Sequence, residues 1–364
     1  MAENITEWES DDAFNAALVK RIDSDYNNYN EKNWDVDRFG PEPENKAVNR
    51  TLQDCYAIVP DFNKMGYLYN ILNDALSKEI LIGLFAYRIL GYRKVRLPRN
   101  NDFYWESMAA IHALPKLEVL EIPSGPFHFK LPLLDLRPLG YEIKLFISLL
   151  GVNLTFLQKQ YELHRGNVHC KAQAGDVVID AGGCWGDTAL YFAHEVGANG
   201  RVISFEFIPS NLDVMHKNFN FNLHLADRIT VVPQALWSTP DHVLYYVDRG
   251  PASIVSYTKI ANEGSAEGTC TTATIDQMVE RLGVNKCDFI KMDIEGAELA
   301  SLKGAEKTIR MFRPKLAICL YHGINDFRLI PRYINSLDLG YAFYLEHATI
   351  HLEETVLFCV PAPA

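Results

Sequence analysis

The sequence lacks the marks of several protein classes. Its seven cysteines (Cys55, Cys170, Cys184, Cys270, Cys287, Cys319, Cys359) are dispersed and none forms a CxxC pair, which argues against a zinc knuckle or a disulfide framework. An odd, scattered set fits a reducing compartment. Positive charge is in deficit: 35 Lys and Arg stand against 46 Asp and Glu, a net charge of -11. A general nucleic-acid-binding role needs a basic face, so no nucleic-acid partner is expected. No apolar run is long. Residues 80–90 are interrupted by Arg88, and residues 145–157 by Gly151 and Asn153; both fall short of the ~20 residues a membrane helix needs. The acidic stretch at residues 1–10 has no apolar core and does not read as a secretory signal. The expectation is a soluble, cytoplasmic protein. No internal repeat or low-complexity linker is seen, so no separate mobile domain is indicated.

The hydrophobic fraction of 48% and charged fraction of 22% are those of a folded globular protein. From about residue 170 the pattern is regular. Apolar runs at 177–180, 202–206, 229–232, 289–292, 316–320, 342–345 and 356–360 read as strands. Helical periods at 187–195, 211–220, 275–282, 295–311 and 329–337 lie between them. Alternating strands and helices imply a mostly parallel sheet with helices on both faces. The last two strands are joined across residues 346–353, too short a link for a crossover, so they should pair antiparallel. The expected fold class is α/β: a Rossmann-like, seven-stranded, mostly parallel sheet with an antiparallel C-terminal hairpin, of the common methyltransferase type. Residues 237–272 read as an inserted hairpin with a mobile Gly/Ser-rich loop at 253–268.

Residues 1–160 read as an N-terminal helical and β extension over a main domain at 161–364. Phe14, Leu18 and Ile22 are spaced as on a helix. Residues 31–63 read as loop, and 65–90 as helix, with Ser77 capping a turn near Lys78. Prolines at 98, 115, 123, 126, 132 and 138 exclude long helices, leaving short strands at 117–122 and 127–131. The clusters 103–105 and 127–129 are aromatic. Core packing is the simpler reading; stacking on a sugar is the functional one.

The organising stretch is Asp180-Ala181-Gly182-Gly183-Cys184-Trp185-Gly186, between an apolar strand and a helix opening with Asp187 and Thr188. Ligands of open α/β sheets sit at such a turn. The glycine pattern departs from GxGxxG, and Asp180 would repel a pyrophosphate. A ligand with a cationic or amino end fits better. Glu206 ends the next strand, where a carboxylate accepts both ribose hydroxyls. Together these point to a nucleoside with a positively charged end, and S-adenosylmethionine meets both demands. Phe207 and Ile208 are placed to pack on adenine, and Gln234 and Ala235 to meet its edge. Each also has an ordinary reading, as a packing corner, a strand-closing acid or loop packing.

Further on, Lys291, Asp293, Glu295 and Glu298 put four charges into eight residues at the end of the fourth strand. Alternation places Lys291 and Asp293 on one side, although an aspartate here also caps a helix. Tyr321-His322 ends the fifth strand beside the same crevice.

These segments carry a resemblance. Gly175-Asp-Val-Val-Ile-Asp-Ala-Gly-Gly with Gly186-Asp-Thr-Ala, Phe205-Glu-Phe-Ile-Pro, Lys291-Met-Asp-Ile-Glu-Gly-Ala-Glu and Lys315-Leu-Ala-Ile-Cys-Leu-Tyr-His are similar to those of the FkbM family of S-adenosylmethionine-dependent methyltransferases. The likeness covers residues 158–360 and includes Gln160-Tyr161, which in that family precedes the first strand near the cofactor. It implies O-methylation of a hydroxyl on a sugar, glycan or secondary metabolite. A weak hydroxyl nucleophile needs a base or a metal. His322 is the expected base, or Asp293 acts with Lys291 as an electrostatic clamp. In the metal version Asp293 and His322, with Glu295, hold Mg²⁺. Other readings are methylation of nitrogen or another small acceptor, a dinucleotide-dependent oxidoreductase (favoured by Glu206, opposed by Asp180), and a non-catalytic cofactor-binding scaffold. The N-terminal region is expected to build the acceptor pocket or a homo-oligomer contact.

Overall fold

The computed structural model describes residues 12–43, 50–124, 127–259 and 267–362. Its main sheet has seven strands: β1 (Val177–Ala181), β2 (Arg201–Phe205), β3 (Ile229–Val232), β4 (Phe289–Met292), β5 (Lys315–Cys319), β6 (Tyr341–His347) and β7 (Thr355–Pro361). Their spatial order is β6-β7-β5-β4-β1-β2-β3. β1 to β5 are parallel, and β7 lies antiparallel between β5 and β6. The strand order reverses between β1 and β4, which opens a crevice at their carboxyl ends.

Strand alternation divides the core. Ile179, Ile203, Phe205, Ile290, Met292 and Ile318 face one side, while Val178, Val202, Phe289, Ala317 and Phe358 face the other. Helices α1 (Asp187–Val196) and α2 (Pro209–Phe221) cover the second side, and α3 (Ile275–Arg281), α4 (Glu298–Lys303), α5 (Glu306–Phe312) and α6 (Asp326–Ser336) the first. The expected helix at 295–311 is therefore two. Glu295 is left-handed at φ 54°, so α4 starts only at Glu298. The break before α5 falls at Gly304, whose carbonyl accepts from Asp276 N at 3.0 Å. A Cβ at Gly304 would lie 2.2 Å from Trp237 O.

Upstream, Asp12–Asp25 is a helix with Phe14, Leu18 and Ile22 fully buried against the sheet's first side. Residues 31–63 are not all loop: they hold short helices at Val36–Phe39 and Leu52–Ile58 and a 3₁₀ turn at Val59–Met65. Caps explain them. Asp35 accepts from the amides of Asp37 and Arg38, and Thr51 and Asp54 form a capping box. The expected helix at 65–90 breaks into Gly66–Ile71 and Ala75–Leu90. Asp74, not Ser77, is the cap, and Ser77 Oγ instead accepts from Leu345 N at 2.9 Å. Asn73 Oδ1 accepts from Phe343 N at 2.6 Å. This segment thus covers the outer edge of β6, a common protection for an edge strand.

Between Pro98 and Pro115 there is room for one helix, Asp102–His112, followed by a three-stranded antiparallel sheet (Val119–Ser124, Phe127–Asp135, Lys144–Phe146). The insertion after β3 forms strands at Val243–Val247, Ile254–Ser256 and Glu267–Ala273. Residues 260–266 of its expected loop, like residues 1–11 and 44–49 of the other expected segments, lie outside the described residues. Among the described residues no helix is long and apolar enough to cross a membrane.

Candidate active site

Register explains the first surprise. Asp180 on β1 sits directly opposite Lys291 on β4 and Ser204 on β2. All three side chains meet on one face, and Asp180 is completely buried. Its carboxylate accepts from Thr188 Oγ1 at 3.0 and 3.1 Å and from Ser204 Oγ at 2.8 Å, and Lys291 Nζ stands 3.2 Å away. It therefore does not present itself to a ligand's cation, as the sequence led us to expect; its cation is Lys291. Lys291 Nζ also donates to Ala181 O at 3.1 Å and Gly182 O at 2.6 Å. Burial opposes charge on this ammonium, but Asp180 and Asp293 outweigh it and hold it above its ordinary range. Lys291 is thus a pin through the glycine turn rather than a free clamp. Thr188 likewise spends its hydroxyl on Asp180.

The turn is built for close approach. The amides of Gly182 and Gly183 donate to Phe205 O at 3.1 and 2.8 Å, tying the turn to β2. Gly182 has φ +94°, and a Cβ there would lie 2.0 Å from Asp293 O. Gly186 caps α1 with φ 84°. Trp185 and Asp187 follow into the cavity wall. The buried indole N–H of Trp185 has no hydrogen-bond partner among the described residues. Burial raises the Asp187 carboxyl to about 6, against the pull of Lys291.

Beyond the turn lies a narrow hollow lined by Glu206, Phe207, Ile208, Gln234, Ala235 and Leu236. Glu206 Oε1 accepts from the amides of Phe207 and Ile208, both at 2.7 Å, while Oε2 takes a 3.3 Å bond from Asn211, and the Cys184 amide also faces the carboxylate. An oxygen held by so long a bond can take a shorter one from another donor. Burial lifts the Glu206 carboxyl to about 7, opposed by those amides. Gln234 rests on Thr271 and Thr272 at 3.4 Å. The expected residues are brought together here. The sequence did not reveal that Gly250, Pro251, Ser253 and Val255 of the insertion form the opposite wall.

A larger cavity of about 520 Å³ adjoins it, sharing Gly182, Cys184, Pro251, Asp293 and Glu295. At its floor Asp293 Oδ2 accepts from Tyr161 at 2.8 Å and Oδ1 from Tyr321 at 2.9 Å. His322 backs this carboxylate, its Nε2 3.2 Å from Asp293 Oδ1 and 3.5 Å from Glu295 Oε1, and its Nδ1 3.0 Å from Glu298 Oε1. Burial works against charge on both Asp293 and His322. Their mutual attraction wins, holding Asp293 well below the carboxylate range and His322 well above the imidazole range. His322 thus sits among three carboxylates rather than standing free as a base.

The remaining wall comes from far upstream. Asp35 N donates to His351 Nε2 at 3.0 Å, and Tyr104 donates to Asp35 Oδ2 at 2.8 Å. These bonds set the short helix Val36–Phe39 at the cavity mouth, where Arg38 reaches Glu354 at 3.0 Å. Of the aromatic clusters, Tyr104 is core, Trp105 is held by Asn100 at 2.8 Å, and Phe129 lies edge-on to Trp185 at 5.6 Å in the cavity wall.

Residues 169–343 match the model of the Methyltransferase FkbM domain. The segments that carried the resemblance in sequence lie inside this range, except Gln160-Tyr161 just before it. Among solved structures, the FkbM domain and its flanks resemble the methyltransferase FkbM from Methylobacillus flagellatus KT, with 20% identity and a TM-score of 0.51 over 84% of this chain. The match spans only 60% of that protein's length, and at this identity it shows the fold alone. An O-methyltransferase from Bacillus cereus in complex with SAH matches with 11% identity and a TM-score of 0.34, over 78% of this chain and 99% of that one. A SAM-dependent O-methyltransferase from Thermotoga maritima matches with 11% identity and a TM-score of 0.33, over 54% and 76%. No curated protein matches the sequence.

Proposed function

We propose that the protein is an S-adenosylmethionine-dependent O-methyltransferase acting on a hydroxyl of a sugar, glycan or secondary metabolite. One observation carries the cofactor reading: Glu206, just past the end of β2, lines a narrow hollow beside the glycine turn with a carboxylate oxygen held by a 3.3 Å bond from Asn211. The donor set there fits the nucleoside. Glu206 would hold the ribose hydroxyls, Phe207, Ile208 and Leu236 would flank adenine, and Gln234 would meet its edge. The methionine end would lie along the Gly182–Gly186 turn, near the unpartnered Trp185 indole N–H and Asp187. When bound, S-adenosylmethionine supplies an electrophilic methyl group.

The larger cavity is the acceptor side in this reading, with Arg38, Phe129 and Leu154 as walls and Asp293 and Glu295 at its floor. Tyr161 and Tyr321 orient Asp293, so a hydroxyl placed there meets a fixed acceptor. Positioning of that kind can contribute several kcal/mol to a displacement. Calorimetric titration with S-adenosylhomocysteine and with NADH tests the cofactor half; tight binding of NADH alone would sink it in favour of an oxidoreductase. A labelled methyl donor offered with a panel of glycans and amino sugars, read by mass spectrometry, tests the acceptor half and separates O- from N-methylation.

Glu206 supplies a pH prediction. Ribose hydroxyls donate best to the ionised carboxylate, whose pKa burial has raised to about 7. Affinity for S-adenosylhomocysteine should therefore fall as pH drops through 7, approaching ten-fold per unit below it. Glu206→Gln should weaken binding ~10- to 100-fold at pH 8, the ~1.5–3 kcal/mol of a charged hydrogen bond, and flatten the profile between pH 6.5 and 8. A wild-type profile that stays level there would remove Glu206 from the ribose site.

A further inference from the structure

We infer that Asp293, Glu295 and His322 form a binding site for one divalent cation of the Mn²⁺/Mg²⁺ class at the floor of the acceptor cavity. One oxygen or nitrogen from each lies within 4.8 Å of the others. The separations from His322 Nε2, 3.2 Å to Asp293 and 3.5 Å to Glu295, are close to those of neighbouring ligands on one ion. Donors at about 2.1 Å from a metal and about 90° apart are about 3.0 Å from each other, and at tetrahedral angles about 3.4 Å.

A second observation concerns His322 itself. Its side chain is only 6% exposed, and its ring nitrogens face carboxylates at 3.0–3.5 Å without a well-aligned hydrogen bond among the described residues. A buried imidazole in that state is uncommon, and a bound ion accounts for it. The supporting residues are also those of a metal centre. Glu298 Oε1 stands 3.0 Å from His322 Nδ1 and is itself fixed by Ile294 N at 2.8 Å, as an outer carboxylate orients a ligating histidine. Tyr161 and Tyr321 hold Asp293 in the same way. Glu295 takes a left-handed backbone, φ 54°, which few glutamates adopt, and it brings the carboxylate back toward His322.

One nitrogen and two carboxylate oxygens suit a hard or borderline ion, with its other positions toward the cavity. Resting on the function proposed above, those positions would take the acceptor's hydroxyl and lower its pKa, so that its proton passes to solvent water as the oxygen takes the methyl group.

The test is titration of the EDTA-stripped full-length protein with Mn²⁺, followed by the electron paramagnetic resonance signal of the free ion. One equivalent should bind saturably. His322→Ala and Glu295→Asn should each weaken binding at least ten-fold. Asparagine tolerates the left-handed backbone, so Glu295→Asn decides if His322→Ala does not fold. Absence of saturable binding, or equal binding by a folded variant, overturns the site. Parallel titration with S-adenosylhomocysteine keeps the two ideas apart. Loss of Mn²⁺ binding with cofactor binding intact refutes only the cation site, and the reverse result refutes only the methyltransferase reading.

Discussion

Gly182→Ala is expected to cost more than ~3 kcal/mol of stability and to abolish S-adenosylhomocysteine binding. Two costs combine at this position. The backbone sits at φ +94°, where an L-residue is strained by roughly 1–2 kcal/mol. The new Cβ would also stand 2.0 Å from Asp293 O and 3.1 Å from the Ile294 side chain. Asp293 cannot simply withdraw, because its amide donates to Ala181 O at 3.1 Å, and its side chain is held by two tyrosines. Relief would have to separate β1 from β4, which opens the crevice. Gly175→Ala is the control: φ there is +85° but nothing lies within 4 Å of a Cβ, so only the backbone cost of about 1 kcal/mol should appear. Urea denaturation of the two variants decides it. Equal losses would mean that the turn does not pack against Asp293 as described.

Lys291→Met should destabilise the protein by ~3–5 kcal/mol, the cost of leaving a buried charge without its partner. Asp180 and Lys291 are 0% and 1% exposed in their side chains and 3.2 Å apart. Thr188 and Ser204 hydroxyls remain on Asp180 but carry no compensating charge. Two acceptors in the glycine turn, Ala181 O and Gly182 O, would lose their donor as well. The double variant Asp180→Asn/Lys291→Met should recover part of the loss, because the lone anion is removed. A catalytic clamp predicts the opposite pattern: Lys291→Met with normal stability and a selective fall in turnover. Denaturation midpoints together with labelled-methyl turnover distinguish these outcomes.

Much of the fold was legible because the relevant signals are local. Strands buried on both faces read as apolar runs, and the seven expected ones all appear within a residue or two of their positions. The antiparallel pairing of β6 and β7 followed from the shortness of their link. Glu206 was legible for a similar reason, since a strand end next to a glycine turn defines where its side chain must go. Errors arose where competition between local signals was settled by contacts. Ser77 looked like a cap, but β6 uses its hydroxyl and leaves the cap to Asp74. The short helices within residues 31–63 open on local signals, Asp35 and the Thr51/Asp54 pair, set among the Asn, Asp and Pro that make the stretch read as loop.

The site divides along the same line. By itself the sequence determined the sheet, the glycine turn, the acid at the end of β2 and the charged cluster after β4, all set by periodicity and position along the chain. It could not determine what each charged group faces. Asp180 turns to Lys291 because β1 and β4 are paired in that register. His322 is ringed by carboxylates because α4 and the turn before it bring Glu295 and Glu298 against the end of β5. Arg38 reaches the cavity because Asp35 is tied to His351, 316 residues away. Pairing register and long-range packing exist only in the assembled chain. They decide which carboxylates of the Asp180–Gly186 and Lys291–Glu298 segments remain available to a ligand.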